Sequence, residues 1–177
     1  MEEEFRVRVR RDKRKLVIGL LAFYLVAIPV YLYFGFQPSG NMMMAYAEEA
    51  KTATGSLAIP SIDLVAPISD VELNGRVLSA PNYIVGRYQS YENKVLVMGH
   101  SSTVFQRLPE VAVGDMISYD GQNFRVVSRE IKAKSEISMQ EILKNEKEPT
   151  LVLMTCFGEH LSGQDYSHRL IIYAKRV

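Results

Sequence analysis

The chain carries a single thiol, Cys156, at the end of an apolar run, Leu151-Val152-Leu153-Met154-Thr155-Cys156, just before Phe157-Gly158. Thirteen residues later Arg169 opens a second run, Leu170-Ile171-Ile172-Tyr173-Ala174, and a third, Val95-Leu96-Val97-Met98, ends in Gly99-His100. A thiol, a guanidinium and an imidazole thus each occupy the edge of a strand-like segment. There a rigid scaffold can hold a side chain and still let it face a groove. A thiol with an ordinary pKa of about 8.5 is only slightly ionised at neutral pH, and needs a neighbour to take its proton or stabilise its anion. Histidine titrates in the right range. Attack on an amide carbonyl creates an oxyanion that calls for positive charge or N–H donors, and arginine supplies both. Together the three residue types suffice for acyl transfer through a thioester.

Residue types alone leave plainer readings open. A free cysteine at a strand end is often a small buried core residue. Arg169 also reads as a solvated edge charge, and any one of His100, His160 and His168 as a packing or surface residue. Separations of 56 and 13 residues bring the three groups together only if the fold joins those strand ends. No metal site is legible: the histidines lack matching Cys or carboxylate spacing, and no Asp-rich calcium loop is present. Phosphate-binding glycine motifs are absent as well. One cysteine excludes an intramolecular disulfide.

The elements that must position these residues read as short strands. Segments 56–59, 62–68, 71–73, 76–78, 94–98, 115–119, 123–132, 150–155 and 169–175 are rich in Val, Ile, Leu and Tyr and bounded by Gly, Pro, Asn and Asp. Asp120-Gly121 between two such segments predicts a two-residue hairpin turn. Phe105–Val111 reads as a turn or two of helix. Ser138–Lys144 reads as a short helix with Ser138 as N-cap and Glu141 at its third position. The polar stretch 157–168 between the cysteine and arginine segments reads as a loop suited to shaping substrate choice. The fold class expected is mainly β: a small closed β-barrel of about eight strands with one or two short helices, preceded by one transmembrane helix.

That helix is expected at Leu16–Phe36, 21 residues without a charge. At 1.5 Å per residue the run covers about 30 Å of hydrocarbon. Pro29 is tolerated in a span, and Tyr31 and Tyr33 suit the interface. Residues 1–15 carry seven basic and four acidic side chains, whereas the remainder is slightly acidic, 14 basic against 16 acidic, within a net charge of +1. The positive-inside rule then leaves 1–15 in the cytoplasm and the folded part outside. The acidic balance of the folded part argues against nucleic-acid binding. Ala45-Tyr46-Ala47 offers a signal-peptidase-like site, but the apolar run is longer than a signal core and ends well before it, so an uncleaved anchor is expected. Residues 37–55 read as a stalk with a short helix near Met42–Lys51, and 56–177 as the folded domain.

Several segments, in order, resemble the sortases, the membrane-anchored cysteine transpeptidases of bacterial surfaces. They are Ala58-Ile59-Pro60-Ser61-Ile62-Asp63-Leu64, Val95–Ser101 with its Gly99-His100, Phe105-Gln106-Arg107-Leu108 with Val113–Ile117, Leu151–Cys156, and Arg169–Ala174. The resemblance covers about 57–177. The family's signature commonly reads Thr-Leu-x-Thr-Cys, and here Val152 stands in place of its first Thr while Thr155 and Cys156 are kept.

The resemblance implies the roles. Cys156 is the nucleophile toward a Leu-Pro-x-Thr-Gly-like sorting signal, His100 the general acid/base, and Arg169 the group that holds substrate and oxyanion. Thr155 is implied as a groove or oxyanion contact. It implies as partners secreted proteins bearing a C-terminal sorting signal, an amine acceptor such as a cell-wall precursor, and the membrane through the N-terminal helix, with the catalytic domain outside a single-pass anchor. Cofactors expected are none; calcium dependence occurs in some sortases, but no ligands for it are identifiable here. The stalk lacks an Asp-Pro-aromatic lid and no second apolar span follows the domain, which favours anchoring of proteins to the wall over pilin polymerisation. A cysteine endopeptidase that releases product to water, a pilin-polymerising sortase and a non-catalytic peptide-binding barrel remain as rivals, and His168 as a rival base.

Overall fold

The computed structural model describes residues 40–74, 77–162 and 165–177. The expected tail at 1–15 and the expected transmembrane helix at 16–36 lie outside them. Among the described residues no helix is long and apolar enough to cross a membrane. Residues 43–177 make one compact unit.

A helix, α1 (Gly40–Ala50), precedes the strands. Its Ala, Met and Glu content favours helix, and Gly55 opens the first strand. In chain order follow β1 (Gly55–Ile59), β2 (Leu64–Asp70), a small hairpin β3 (Leu73–Asn74) and β4 (Val77–Leu78), then β5 (Val85–Tyr91) and β6 (Lys94–Met98). After them come β7 (Met116–Tyr119), β8 (Gln122–Ala133), the short helix α2 (Met139–Ile142), β9 (Thr150–Ser162) and β10 (Asp165–Arg176). Eight of the strands close into a barrel in the order β1-β2-β5-β6-β9-β10-β8-β7. Closure removes the open edges of an antiparallel sheet. Two contacts are parallel, β2 with β5 and β6 with β9; the rest are antiparallel.

The expected eight-stranded barrel is the fold observed, with three differences of detail. β5 was not anticipated, because Gly86, Arg87 and Gln89 break its apolar pattern. Arg87 nevertheless anchors the strand: it donates from Nε to Asp70 (2.6 Å), from Nη1 to Asp120 (2.6 Å) and Tyr119 (3.2 Å), and from Nη2 to Thr54 (3.0 Å). That fan ties β5 to β2, the β7–β8 turn and the start of β1. It raises the Arg87 pKa, chiefly through the Asp70 hydrogen bond, and the same bond lowers that of Asp70. Second, the stretch 157–168 is not a loop. β9 and β10 run on through it as a two-stranded arm, with Ser162 paired to Asp165. Third, 105–111 forms turns and a single 3-10 turn at Leu108–Glu110.

Local signals elsewhere hold. Asp120 (φ 48°) and Gly121 (φ 75°) make the two-residue turn between Tyr119 and Gln122. The Ser138 hydroxyl accepts from the Glu141 N–H at 3.3 Å and starts α2. Alternation then sorts side chains to two faces. Leu57, Ile68, Val97, Leu153, Leu170 and Ile172 fill the barrel. Leu96, Met98, Val152 and Ile171 point outward from β6, β9 and β10 into a second apolar cluster with Ile142.

Candidate active site

The outward rows of β6, β9 and β10 lead to the site. On β9 the outward positions are Val152 and Met154, and the next in phase is Cys156. On β10 they are Tyr173 and Ile171, and the next is Arg169. The register pairs Cys156 directly with Arg169, so the thiol and the guanidinium stem share one face as cross-strand neighbours. β6 runs parallel to β9 with Met98 beside Met154. His100 follows two residues beyond the end of that pairing. The Gly99 N–H donates to the Met154 carbonyl at 3.4 Å and carries the ladder one step past the strand end. Cys156, His100 and Arg169 are each partly exposed. Packed against the outer cluster are Val71, Leu78 and Ala80, from the β3–β4 hairpin and its flanks, and Ile137, Met139 and Leu143 around α2. The sequence marked strands at 71–73 and 76–78, but not that their flanks pack on this cluster.

The backbone around the site is tightly fixed. A Cβ on Gly99 would lie 2.7 Å from both Phe105 and Val104, so only glycine lets the turn after His100 fold back onto β6. Gly158 has φ +85°, and a Cβ there would lie 2.6 Å from Ser167 Oγ and 2.8 Å from His168 Nδ1. This glycine lets the arm close two residues after the cysteine.

Thr155 is not on the groove surface. It is 3% exposed, and its hydroxyl donates to the Gly99 carbonyl at 2.8 Å. Its side chain braces β9 against the residue before His100. Alternation is the reason: with Cys156 outward, Thr155 turns inward. The rival base His168 pairs with Phe157, one step off the Cys156–Arg169 row, and its Nδ1 lies 2.8 Å from Ser167 Oγ. Phe157 packs toward the barrel core, so His168 belongs to the face opposite the thiol.

Arg169 is held against its own strand. Its Nη1 donates to the carbonyls of Tyr166 (3.0 Å) and His168 (2.9 Å), and its Nη2 lies 3.6 Å from Asp165. The register shift between Tyr166 and His168 is what brings these acceptors within reach. Asp165 also takes both its oxygens to Lys134 at 2.8 Å, which holds its carboxyl below the usual range. These bonds fix the guanidinium at the row that Cys156 shares.

Among the described residues no group of three or more His, Cys, Asp or Glu is arranged to hold a metal ion. A cavity of about 240 Å3 opens at the other end of the barrel, beside Arg87, Tyr119, Phe124 and Leu151. Leu151 is about 17 Å along β9 from Cys156 at the usual strand rise, so this cavity is separate from the thiol.

The chain is similar to several known proteins. Residues 57–177 match the family model described as Sortase domain. Sortase D of Bacillus subtilis (strain 168) is 30% identical over 138 residues, which cover 75% of this chain and 68% of that protein. Sortase A from Corynebacterium diphtheriae superposes with a TM-score of 0.57 at 23% identity, over 71% of this chain and 60% of that one. Sortase C-3 from Streptococcus pneumoniae does so with a TM-score of 0.54 at 19% identity, over 71% and 62%. The chain thus spans about three fifths of the length of those two solved structures, which share its fold.

Proposed function

The chain belongs to the sortase family of cysteine transpeptidases, and from that membership we propose that Cys156, His100 and Arg169 are its catalytic groups. The Cys156 thiolate attacks the carbonyl carbon of the threonine-like residue in a Leu-Pro-x-Thr-Gly-like segment. The electron pair moves to the carbonyl oxygen, and Arg169 stabilises that oxyanion. On collapse the C–N bond breaks, and the leaving amine takes a proton from the His100 imidazolium. A thioester remains. An acceptor amine then attacks the thioester, gives its surplus proton to His100, and expels the Cys156 thiolate. The observation that supports this reading is the register that pairs Cys156 with Arg169 at the head of the outer face, with His100 two residues past the end of β6, the strand beside β9.

The partly exposed Met154, two residues before the thiol on the same face, offers an apolar contact that suits the leucine or proline of such a signal. The uncharged run at 16–36, preceded by basic residues, supports an anchored enzyme with its barrel on the outer side of the membrane. Its substrates would then be secreted proteins with a C-terminal signal, and its acceptor an amine of a wall precursor. Anchoring of surface proteins is favoured over pilin joining.

The test is mass spectrometry of the full chain in detergent with a Leu-Pro-x-Thr-Gly peptide library, with and without an oligoglycine amine. A covalent acyl adduct on Cys156 and ligated product in the presence of the amine are expected, and Cys156→Ala abolishes both. Only free acid, with amine present, would make the protein a hydrolase. No adduct with any peptide would refute the reading.

A further inference from the structure

Glu49 stands in the last turn of α1, the end of a helix where the dipole disfavours a carboxylate. Its tertiary partners account for it. Oε1 accepts the Asn82 N–H at 3.0 Å and Oε2 the Tyr83 N–H at 2.7 Å. A carboxylate bridging two consecutive backbone donors is a charge-assisted, two-point attachment. The same Asn82 presents its carbonyl to the Thr103 hydroxyl at 2.6 Å. Thr103 belongs to the turn that His100 begins: the His100 carbonyl accepts the N–H of Thr103 at 3.2 Å and of Phe105 at 3.0 Å. An unbroken path of hydrogen bonds therefore runs Glu49, Asn82, Thr103, His100. On its other side the histidine is braced through Gly99 by Thr155 and Met154. That brace comes from the barrel, whereas the Glu49 path comes from the segment leading into it.

The turn after His100 and the loop at 80–84 lie at the surface, where segments lacking such ties are the first to open. Displacing a general acid/base by a fraction of its reach costs far more in rate than in stability. We propose that Glu49 is a positioning residue for His100, acting through Asn82 and Thr103, so that the helix entering the barrel sets the imidazole relative to the thiol. The proposal rests on the role given above to His100. It concerns a residue outside the 57–177 family match.

The experiment uses the full chain in detergent, with Glu49→Gln, Thr103→Val and Thr103→Ser. Gln keeps one acceptor and turns an NH2 donor toward a backbone N–H; Val keeps the shape of Thr without its hydroxyl. Three quantities are read: the single-turnover rate of acyl adduct formation, the thermal midpoint, and the pH titration of the His100 ring resonance without peptide, assigned with His100→Gln. Glu49→Gln and Thr103→Val should each slow acylation about tenfold with little change in KM, shift the His100 resonance, and move the thermal midpoint by only a few degrees. Thr103→Ser should restore both rate and resonance. The double variant should be no slower than either single one, because both cut the same path. Rates within twofold of the unsubstituted protein, or multiplied losses in the double variant, would overturn the proposal. The ring resonance separates failures: an unmoved signal refutes the Glu49 path, whereas a moved signal in a protein that forms no adduct refutes the catalytic reading.

Discussion

Thr155→Val isolates the brace beneath the site. Valine keeps the shape of threonine and removes only the hydroxyl that donates to the Gly99 carbonyl at 2.8 Å. Gly99 is buried and Thr155 is 3% exposed, so water cannot readily replace the bond. A buried acceptor left unpaired costs about 1–3 kcal/mol. For the unit spanning 43–177, an unfolding entropy of about 2.1 cal/mol/K per residue converts this to a fall in thermal midpoint of about 4–11 °C. Gly99 immediately precedes His100, so the same substitution should lower the rate of acyl adduct formation by about tenfold, with KM nearly unchanged. Thr155→Ser keeps the donor and loses one buried methyl, worth about 1 kcal/mol, and should keep most of the rate. The assays are a thermal melt and single-turnover mass spectrometry with a Leu-Pro-x-Thr-Gly peptide. The reasoning fails if Thr155→Val melts within 2 °C of the parent (below the range expected for a buried lost bond). It also fails if its effect is a raised KM at constant stability, which is the signature of a direct substrate contact.

Two further outcomes follow from the backbone and the charges. Gly158→Ala places a Cβ at φ +85° against Ser167 and His168; it should cost about 1–3 kcal/mol and slow acylation by spreading the arm beside Cys156. An unchanged melt would show that the arm yields freely. Asp70 has its carboxyl held below the ordinary range, mainly by the hydrogen bond from Arg87. A depressed carboxylate pKa adds stability above its unfolded value, near about 4, and loses it as pH falls through the folded value. Asp70→Asn should therefore lower the thermal midpoint slightly at pH 7, through a stability loss of no more than about 1 kcal/mol for so exposed a partner. The two melting curves should converge in acid, and a gap that stays constant down to pH 2 would contradict this assignment.

Strand-edge placement made Cys156, His100 and Arg169 legible as candidates, because apolar runs that stop at a residue type able to do chemistry can be read directly. The Asp120-Gly121 turn and the Ser138 cap were legible for the same reason: each depends on neighbours within a few residues. β5 escaped notice because Arg87 is held by Thr54, Asp70, Tyr119 and Asp120, partners scattered over 66 positions of sequence. The arm at 157–168 escaped because its two strands satisfy each other's backbone groups, so neither needs an apolar face.

The sequence by itself determined the local chemistry of this protein: one thiol, its strand-end setting, short β elements, and an uncharged N-terminal run. Local propensity and alternation are encoded within a few residues, so they survive without a fold. Only the tertiary structure decided which residues meet. The barrel's register turned Cys156 and Arg169 to the same side and sent Thr155 inward to Gly99 and His168 to the other face, while the fold brought Glu49 to the Asn82–Tyr83 backbone that also receives Thr103. The facing of the strand residues depends on pairings between strands far apart in the chain, which a shift of one residue in register would reverse, and the Glu49 contact depends on a helix meeting a loop more than 30 residues away.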